Sequence, residues 1–306
     1  MTILTKLEKD DVKEILSEYN LGSYVSHKPV DALGNTIYFV NTEKGKFVLK
    51  IFEKAEPEAV KFQIGLIEYL QNSKIPVQGI IRNRKKESIF KYKDKTMVMH
   101  KFIDAKPAEH FSIKLLKNVA DNIGKLHKVL LESGIEGGDP WQEEHQFNEK
   151  KQWTTGYSAE FSRLVKELKK NVDKKNLRRC IIHRDLSHSN LLVKNDKLAA
   201  FMDWDDSGTD FLAYDVAVFI AHGIKDNKKK LRTFFSEYSR HITLNSDEKK
   251  AVYYFIKDRY LNVANYLTSQ KQVHDYKWLD NSIKWAVDGY KKYENMELEK
   301  FLENIS

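Results

Sequence analysis

The chain has 306 residues, 41% of them hydrophobic, a length at which a single core tends to divide, so two lobes are expected. Its most apolar stretch, residues 211–221, contains Asp215 and is shorter than the roughly 20 residues that span a bilayer, while residues 1–15 mix acids and lysines where a secretory signal needs an apolar run, so neither a membrane span nor export is expected. The net charge of +8 lies in clusters at 166–179 and 225–232 with few interleaved aromatics, which argues against nucleic acid and suits an anionic cofactor, and the lone Cys180 suits the reducing cytoplasm.

Leu7, Val12, Ile15, Leu16 and Tyr19 recur on one helical face and predict an N-terminal helix over 7–19. Residues 36–42 and 46–52 are β-branched and aromatic, and the turn between them ends in Gly45, so they predict a β-hairpin. Pro57 opens a predicted helix over 57–71 with Val60, Ile64, Ile67 and Leu70 on one face. A second hairpin is predicted from 89–92 and 96–103 around Lys93 and Asp94. From Ser112 the period becomes helical, with Leu115, Leu116, Val119, Ile123, Leu126 and Leu130 in register. Short apolar runs at 180–182, 191–193 and 198–202 predict strands framing a site. Helical patterning returns from Leu212, and Val252, Phe255, Ile256, Tyr260 and Val263 mark one buried face. The fold class is α+β: a β-rich lobe with one crossing helix over 1–99, and a mainly helical lobe over 100–306.

The chemistry concentrates in Ile181-Ile182-His183-Arg184-Asp185-Leu186-Ser187-His188-Ser189-Asn190-Leu191-Leu192-Val193, followed by Leu198-Ala199-Ala200-Phe201-Met202-Asp203-Trp204. An aspartate, an asparagine five positions on and a second aspartate leaving a strand can aim three oxygen-bearing side chains into one cleft. Phosphoryl transfer needs that set: one carboxylate to orient the acceptor hydroxyl, and hard oxygen ligands for Mg²⁺ on ATP. Asp185 is then the catalytic base, and Asn190 and Asp203 the metal ligands. The plainer alternative is that Asp185 and Asn190 only stabilise turns. His183 and His188 lack a cysteine or carboxylate to complete a zinc site. P-loop, serine hydrolase, zincin and dinucleotide-binding signatures are absent from the sequence.

These segments resemble the catalytic and metal-binding loops of the aminoglycoside phosphotransferase and choline kinase-like superfamily, which shares the protein kinase fold. Within it, Asp203-Trp204 followed by Leu212-Ala213-Tyr214-Asp215-Val216-Ala217 is most similar to bacterial homoserine kinases, with weaker matches at 35–42, 47–54, 67–76 and Gly124-Lys125-Leu126-His127. The resemblance implies ATP between two lobes and a small-molecule hydroxyl acceptor. It implies further that Lys50 clamps the α- and β-phosphates, that Gly34, Asn35 and Thr36 stand at the phosphate loop, and that a hinge over 99–103, with Met99, Lys101 and Ile103, seats the adenine. Asp215 and His183 are implied as structural supports of the catalytic loop.

The sequence also departs from protein kinases. The segment Asp31-Ala32-Leu33-Gly34-Asn35-Thr36 has one glycine, Gln63 or Glu68 stands where a glutamate partner of Lys50 is expected, and Asp203 is followed by Trp204-Asp205 with no peptide-docking segment before Asp215. A compact acceptor is therefore expected, homoserine-like by resemblance. An aminoglycoside, choline or sugar is the alternative, and a protein Ser/Thr kinase or a silent ATP-binding protein are rivals from other classes. Asp258, Arg259, Asn262 and Tyr266 are expected on one helical face toward the acceptor, with Asp205, Asp206, Asp210, Glu143 and Glu144 as an acidic wall. Residues 137–155, with Trp141, Phe147 and Trp153, are a candidate lid.

Overall fold

The structure is a computed structural model that describes residues 5–30, 34–138, 144–148, 156–272, 276 and 278–305. They form two compact units. The first holds residues up to Ala105 together with Ala199–Met202, and the second holds Lys106–Leu198 and the chain from Asp203 onward.

In the first unit, α1 (Lys9–Ser17) precedes β1 (Tyr24–Val30), β2 (Thr36–Thr42) and β3 (Gly45–Phe52). Helix α2 (Pro57–Asn72) then leads to β4 (Ile80–Ile81), β5 (Phe90–Tyr92) and β6 (Lys95–Lys101). The strands form an antiparallel sheet in the order β1-β2-β3-β6-β4, with β5 also paired to β6. Gly45, at φ 133, turns the β2–β3 hairpin, and Lys93 and Asp94, at φ 44 and 63, turn the β5–β6 hairpin in the left-handed geometry that suits right-twisted strands. Val12, Ile15 and Leu16 of α1 bury with Leu7 and Tyr19 against Val40, Leu49 and Met97. The helix read from periodicity is thus the lid of this core. Strand β1 is a finding the sequence pattern hides. It lies at the sheet edge, four of its seven residues are exposed, and it tolerates Pro29 because an edge strand has no partner on one side.

The second unit begins with β7 (Lys106–Pro107), α3 (Ile113–Glu132) and α4 (Ser158–Asn171). Next come β8 (Arg179–Ile182), β9 (Leu191–Lys194), β10 (Lys197–Phe201), whose end belongs to the first unit, and β11 (Gly208–Phe211). Helices α5 (Leu212–Phe219), α6 (Lys228–Tyr238), α7 (Ser246–Lys271), α8 (Trp278–Glu294) and α9 (Leu298–Ile305) complete it. Ser112 caps α3, its hydroxyl accepting from the Leu115 N–H at 3.1 Å. Strand β8 pairs antiparallel with β11, Ile182 opposite Gly208, and β9 pairs with β7, Leu192 opposite Pro107. Helix α7 is central. It contacts α4, α5, α8 and α9, and residues 251–258 are buried on every side where the sequence suggested one buried face. A helix enclosed by neighbours needs apolar groups all round, which is why Ala251, Val252, Tyr253, Tyr254, Phe255 and Ile256 follow one another. Among the described residues no helix is long and apolar enough to cross a membrane.

Candidate active site

The loop between β8 and β9 is fixed from behind by α5. Asp215, in the first turn of that helix, is fully buried, and its two oxygens accept the backbone N–H groups of His183 and Arg184, each at 2.7 Å. A buried carboxylate is stable only when so satisfied. His127 of α3 adds its Nε2 at 3.3 Å, and its Nδ1 lies 2.8 Å from the Tyr238 hydroxyl. Since a carboxylate only accepts, Nε2 carries the proton and Nδ1 takes the hydroxyl's.

This anchoring holds Arg184 in the left-handed region, at φ 64, and turns Asp185 outward. The buried Arg184 side chain runs the other way, donating to the Thr209 carbonyl at 2.8 Å and meeting Asp210 at 3.4 Å. Gly208 leaves it room, because a Cβ there would stand 2.6 Å from the guanidinium. His183 is fully buried, its Nδ1 accepts from the Asp185 N–H at 3.3 Å, and its ring lies 4.5 Å from that of Trp204. Trp204 directly follows Asp203, so this ring contact ties the stretch that carries Asp203 to the loop. Asp203 itself is exposed and left-handed, at φ 58.

The half-buried Asp185 carboxylate is engaged at both oxygens. Asn190 donates from Nδ2 to Oδ2 at 2.7 Å and to the Asp185 carbonyl at 2.9 Å. Arg259, from α7, donates from Nη2 to Oδ1, and its Nε donates to His222 Nε2 at 3.0 Å. Burial opposes the charge on Arg259, but Asp185, Tyr214 and Asp206 outweigh it and raise its pKa further. Burial, then Arg259 and His188, push His222 well below the ordinary histidine value, consistent with its accepting role. The surrounding protein and the charge of Asp185 raise the Asp206 carboxyl, against the pull of Arg259.

Of the residues expected at the acceptor, Arg259 therefore meets Asp185, and Asp206 senses both. Asp258 and Asn262 do not join them. The Asp258 carboxylate is buried against His145 Nε2 at 2.9 Å, and the Asn262 amide folds back onto Asp258 Oδ2 at 2.8 Å. Asp205 is exposed, Asp210 is buried beside Arg184, and Glu144 pairs with Lys174. Trp141, Glu143, Trp153 and residues 31–33 lie outside the described residues. His222, Tyr214 and Arg184 were missed as site neighbours. Arg184 and Tyr214 had a signal, the one between His183 and Asp185 and the other directly before Asp215.

In the first unit, Lys50 is buried on β3 between Ile37 and Val98, its Nζ 5.2 Å from the Phe52 ring centre. Gln63 is buried on α2, whereas Glu68 Oε1 accepts from Arg82 at 2.9 and 3.0 Å and from Ser88 at 2.6 Å. Gly34 has φ 90; next to it the Asn35 side chain accepts from the Glu53 N–H at 3.2 Å, and Thr36 is buried with its hydroxyl on the Glu53 carboxylate. At the expected hinge, Met99 pairs with Leu49 and Ile81, the Lys101 N–H donates to the Gly79 carbonyl at 2.8 Å, and the Ile103 carbonyl accepts from Ala105 at 2.9 Å.

Among the described residues no three histidine, cysteine or carboxylate side chains converge as a self-sufficient metal cage. Asn190 and Asp203 fit a different kind of site. Because the Asn190 NH₂ is committed to Asp185, its carbonyl oxygen is turned away as a hard donor, and the Asp203 carboxylate is a donor of the same class. Two protein oxygens suit a magnesium ion that takes its remaining ligands from phosphates and water.

The pattern of the phosphotransferase enzyme family matches residues 27–243. The homoserine kinase of Pseudomonas aeruginosa strain PAO1 is 24% identical over 224 residues, covering 71% of each chain. Two solved structures share the fold. An amicoumacin kinase in complex with AMP-PNP, Ca²⁺ and its antibiotic superposes with TM-score 0.75 at 15% identity, over 96% of this chain and 97% of its own. A choline kinase from Streptococcus pneumoniae superposes with TM-score 0.67 at 17% identity, over 93% and 99%. A family match over most of 306 residues, joined to a kinase-like fold along nearly the whole chain, makes this protein a member of the phosphotransferase enzyme family.

Proposed function

We propose that the protein transfers the γ-phosphoryl group of ATP to a hydroxyl of a small molecule, and that the acceptor is homoserine-like. The observation that carries this reading is the outward-facing Asp185, held by a loop whose backbone is pinned to a buried carboxylate and whose Asn190 points an oxygen away from it. Asp185 receives the hydroxyl proton as the acceptor oxygen attacks the γ-phosphorus, and ADP departs. Positioning and charge neutralisation supply most of the acceleration in such transfers. Asn190 and Asp203 hold Mg²⁺, which neutralises phosphate charge when bound. Lys50 serves the phosphates, and backbone groups of the hinge the adenine. His183 and Asp215 support the loop.

Curated relatives named homoserine kinase support the amino-acid acceptor, and the nucleotide analogue and cation bound by the amicoumacin kinase support ATP and a divalent metal. An aminoglycoside or choline-like acceptor is the second reading, favoured by the acids Asp205 and Asp206 beside the loop. The short stretch between Asp203 and Asp215 leaves no room for a peptide-docking segment, which argues against a protein substrate. A single buried thiol and dependence on ATP suit the cytoplasm.

The test is ADP release with ATP and Mg²⁺ against homoserine, choline, aminoglycosides, methylthioribose and simple sugars. One acceptor is expected to raise turnover strongly, and Asp185→Asn to lower it by about 10² to 10⁴-fold. Equal turnover in the variant and the parent across the panel sinks the assignment.

A further inference from the structure

Asp185 is not free in this structure. Its Oδ1, one of two oxygens able to take a proton, is held by the Arg259 guanidinium. A guanidinium on that oxygen competes with an incoming hydroxyl for the same lone pairs. Arg259 is not a loose surface side chain either. Its Nε is fixed on His222, and the His222 ring is wedged between Trp285 at 4.7 Å and His188 at 6.1 Å. His222 sits in a π-turn after α5, beside the buried Ala221. The Nε side of the guanidinium is thereby anchored, and the Nη side faces the reacting carboxylate.

We propose that Arg259 is a latch on Asp185 that the acceptor's own carboxylate opens. The inference rests on the phosphotransferase reading above. An acceptor carboxylate takes the Nη edge of Arg259, for which a planar two-oxygen anion is the matching shape. Asp185 Oδ1 is released, and the acceptor hydroxyl delivers its proton there. The acceptor oxygen then bonds to the γ-phosphorus, the bond from that phosphorus to the β–γ bridging oxygen breaks, and ADP leaves with the electron pair. His222 is a positioning residue, holding the guanidinium in place as its partner changes.

The surrounding charges narrow the ligand. The Nη edge of Arg259 selects a carboxylate by its planar shape, and the Asp185 carboxylate in contact with it favours an ammonium on the same molecule. The chemistry that satisfies both signs is a zwitterion with one carboxylate, one ammonium and a hydroxyl a few bonds away. A purely cationic amino alcohol leaves the latch shut.

The experiment uses the full chain with ATP and Mg²⁺ and three probes: L-homoserine, its carboxamide, and L-2-aminobutyrate, which keeps the carboxylate and ammonium but has no hydroxyl. The parent is expected to prefer homoserine over the carboxamide by about a hundredfold in kcat/KM, since a site built for a polar group rejects the analogue lacking it. Arg259→Met is expected to erase that preference, and Arg259→Lys to restore part of it. Aminobutyrate is expected to raise ADP release to water several-fold in the parent. Arg259→Met should release ADP at the raised rate without it and ignore its addition. His222→Phe should raise KM for homoserine, and His222→Gln, which keeps an acceptor for the Arg259 Nε, should restore part of it. Equal use of homoserine and its carboxamide by the parent overturns the proposal, as does an Arg259→Met protein, shown folded by circular dichroism, that still discriminates or still responds to aminobutyrate. If a purely cationic acceptor is phosphorylated in an Asp185-dependent way and homoserine is not, the latch fails while the phosphotransferase reading stands. If Asp185→Asn changes nothing, both fall.

Discussion

Replacing Asp215 by asparagine tests whether the reacting loop is held from behind. The two Asp215 oxygens accept two backbone N–H groups at 2.7 Å, inside a fully buried pocket. Asparagine keeps the shape but turns one acceptor into an NH₂, so one of those N–H groups faces another donor. Losing a hydrogen bond to a charged group costs about 1.5–3 kcal/mol, and a buried N–H left unpaired costs about 1–3 kcal/mol more. The sum, about 4 kcal/mol, corresponds to a fall in melting temperature of roughly 6 °C for a chain of this size. Activity should fall more steeply than folding alone explains, because Asp185 follows directly on the two released residues and a misplacement of about 1 Å costs about a hundredfold. Thermal melts followed by circular dichroism give the first quantity, and ADP release below the melting range gives the second. Asp185→Asn is the counter-control: its partly exposed carboxylate meets Asn190 and Arg259 but holds no backbone N–H, so that variant should lose turnover while melting less far below the parent than Asp215→Asn. An Asp215→Asn protein that melts and turns over like the parent refutes the anchoring.

Glu53 carries a pH signature: burial pushes its carboxyl up, but hydrogen bonds from Lys95, Thr36 and Thr5 outweigh burial and hold it at about 2, against an ordinary 4.5. Its folded value is depressed, so its stabilisation is complete above pH 4.5 and disappears as pH falls toward 2; Glu53→Gln should cost about 2 kcal/mol at pH 7 in urea unfolding, with the curves converging near pH 2. Gly289→Ala places a methyl 2.4 Å from the Tyr260 ring, which is already flanked by Trp285 and Tyr293, and should destabilise by about 1–3 kcal/mol. Burial, with Asp215 nearby, pushes the Cys180 thiol up to about 12, so iodoacetamide at pH 8 should label it in urea and not in the native protein.

The reacting loop was legible because its chemistry is contiguous. His183, Asp185 and Asn190 lie within one strand-loop-strand unit, and the apolar runs on either side become β8 and β9. The two hairpins and Gly45 follow equally from period and turn chemistry, whereas Lys50 was singled out by resemblance. What escaped is what depends on helices meeting. Asp258, Arg259, Asn262 and Tyr266 were read as one face of α7, yet consecutive helical residues point about 100° apart. Asp258 and Asn262, four apart, do share a face, and it is turned to His145; Arg259 belongs to the next face and reaches Asp185. Sequence spacing gave the angle between them and not which side met the loop. His222 was unreadable for a similar reason, since its role exists only because a π-turn after α5 brings it beside Arg259. Strand β1 escaped because an exposed edge needs no alternating pattern.

This division has a consequence for how substitutions should act. The groups proposed for the metal come from the β8–β10 segment, anchored by backbone pairing and by a buried carboxylate. The group that meets Asp185 from outside comes from α7, a helix whose other faces are committed to α4, α5, α8 and α9. Exchanging Arg259 therefore leaves the β8–β10 segment in place. It should move KM for the acceptor and the choice among acceptors, while KM for ATP stays within about twofold. Exchanging Asn190 or Asp203 should do the reverse, raising the Mg²⁺ and ATP concentrations needed for half-maximal rate with little change in the order in which acceptors are preferred. Measuring both KM values for both sets of variants separates the two halves of the site, and an Arg259 variant whose defect lies in ATP would place that residue with the phosphates instead.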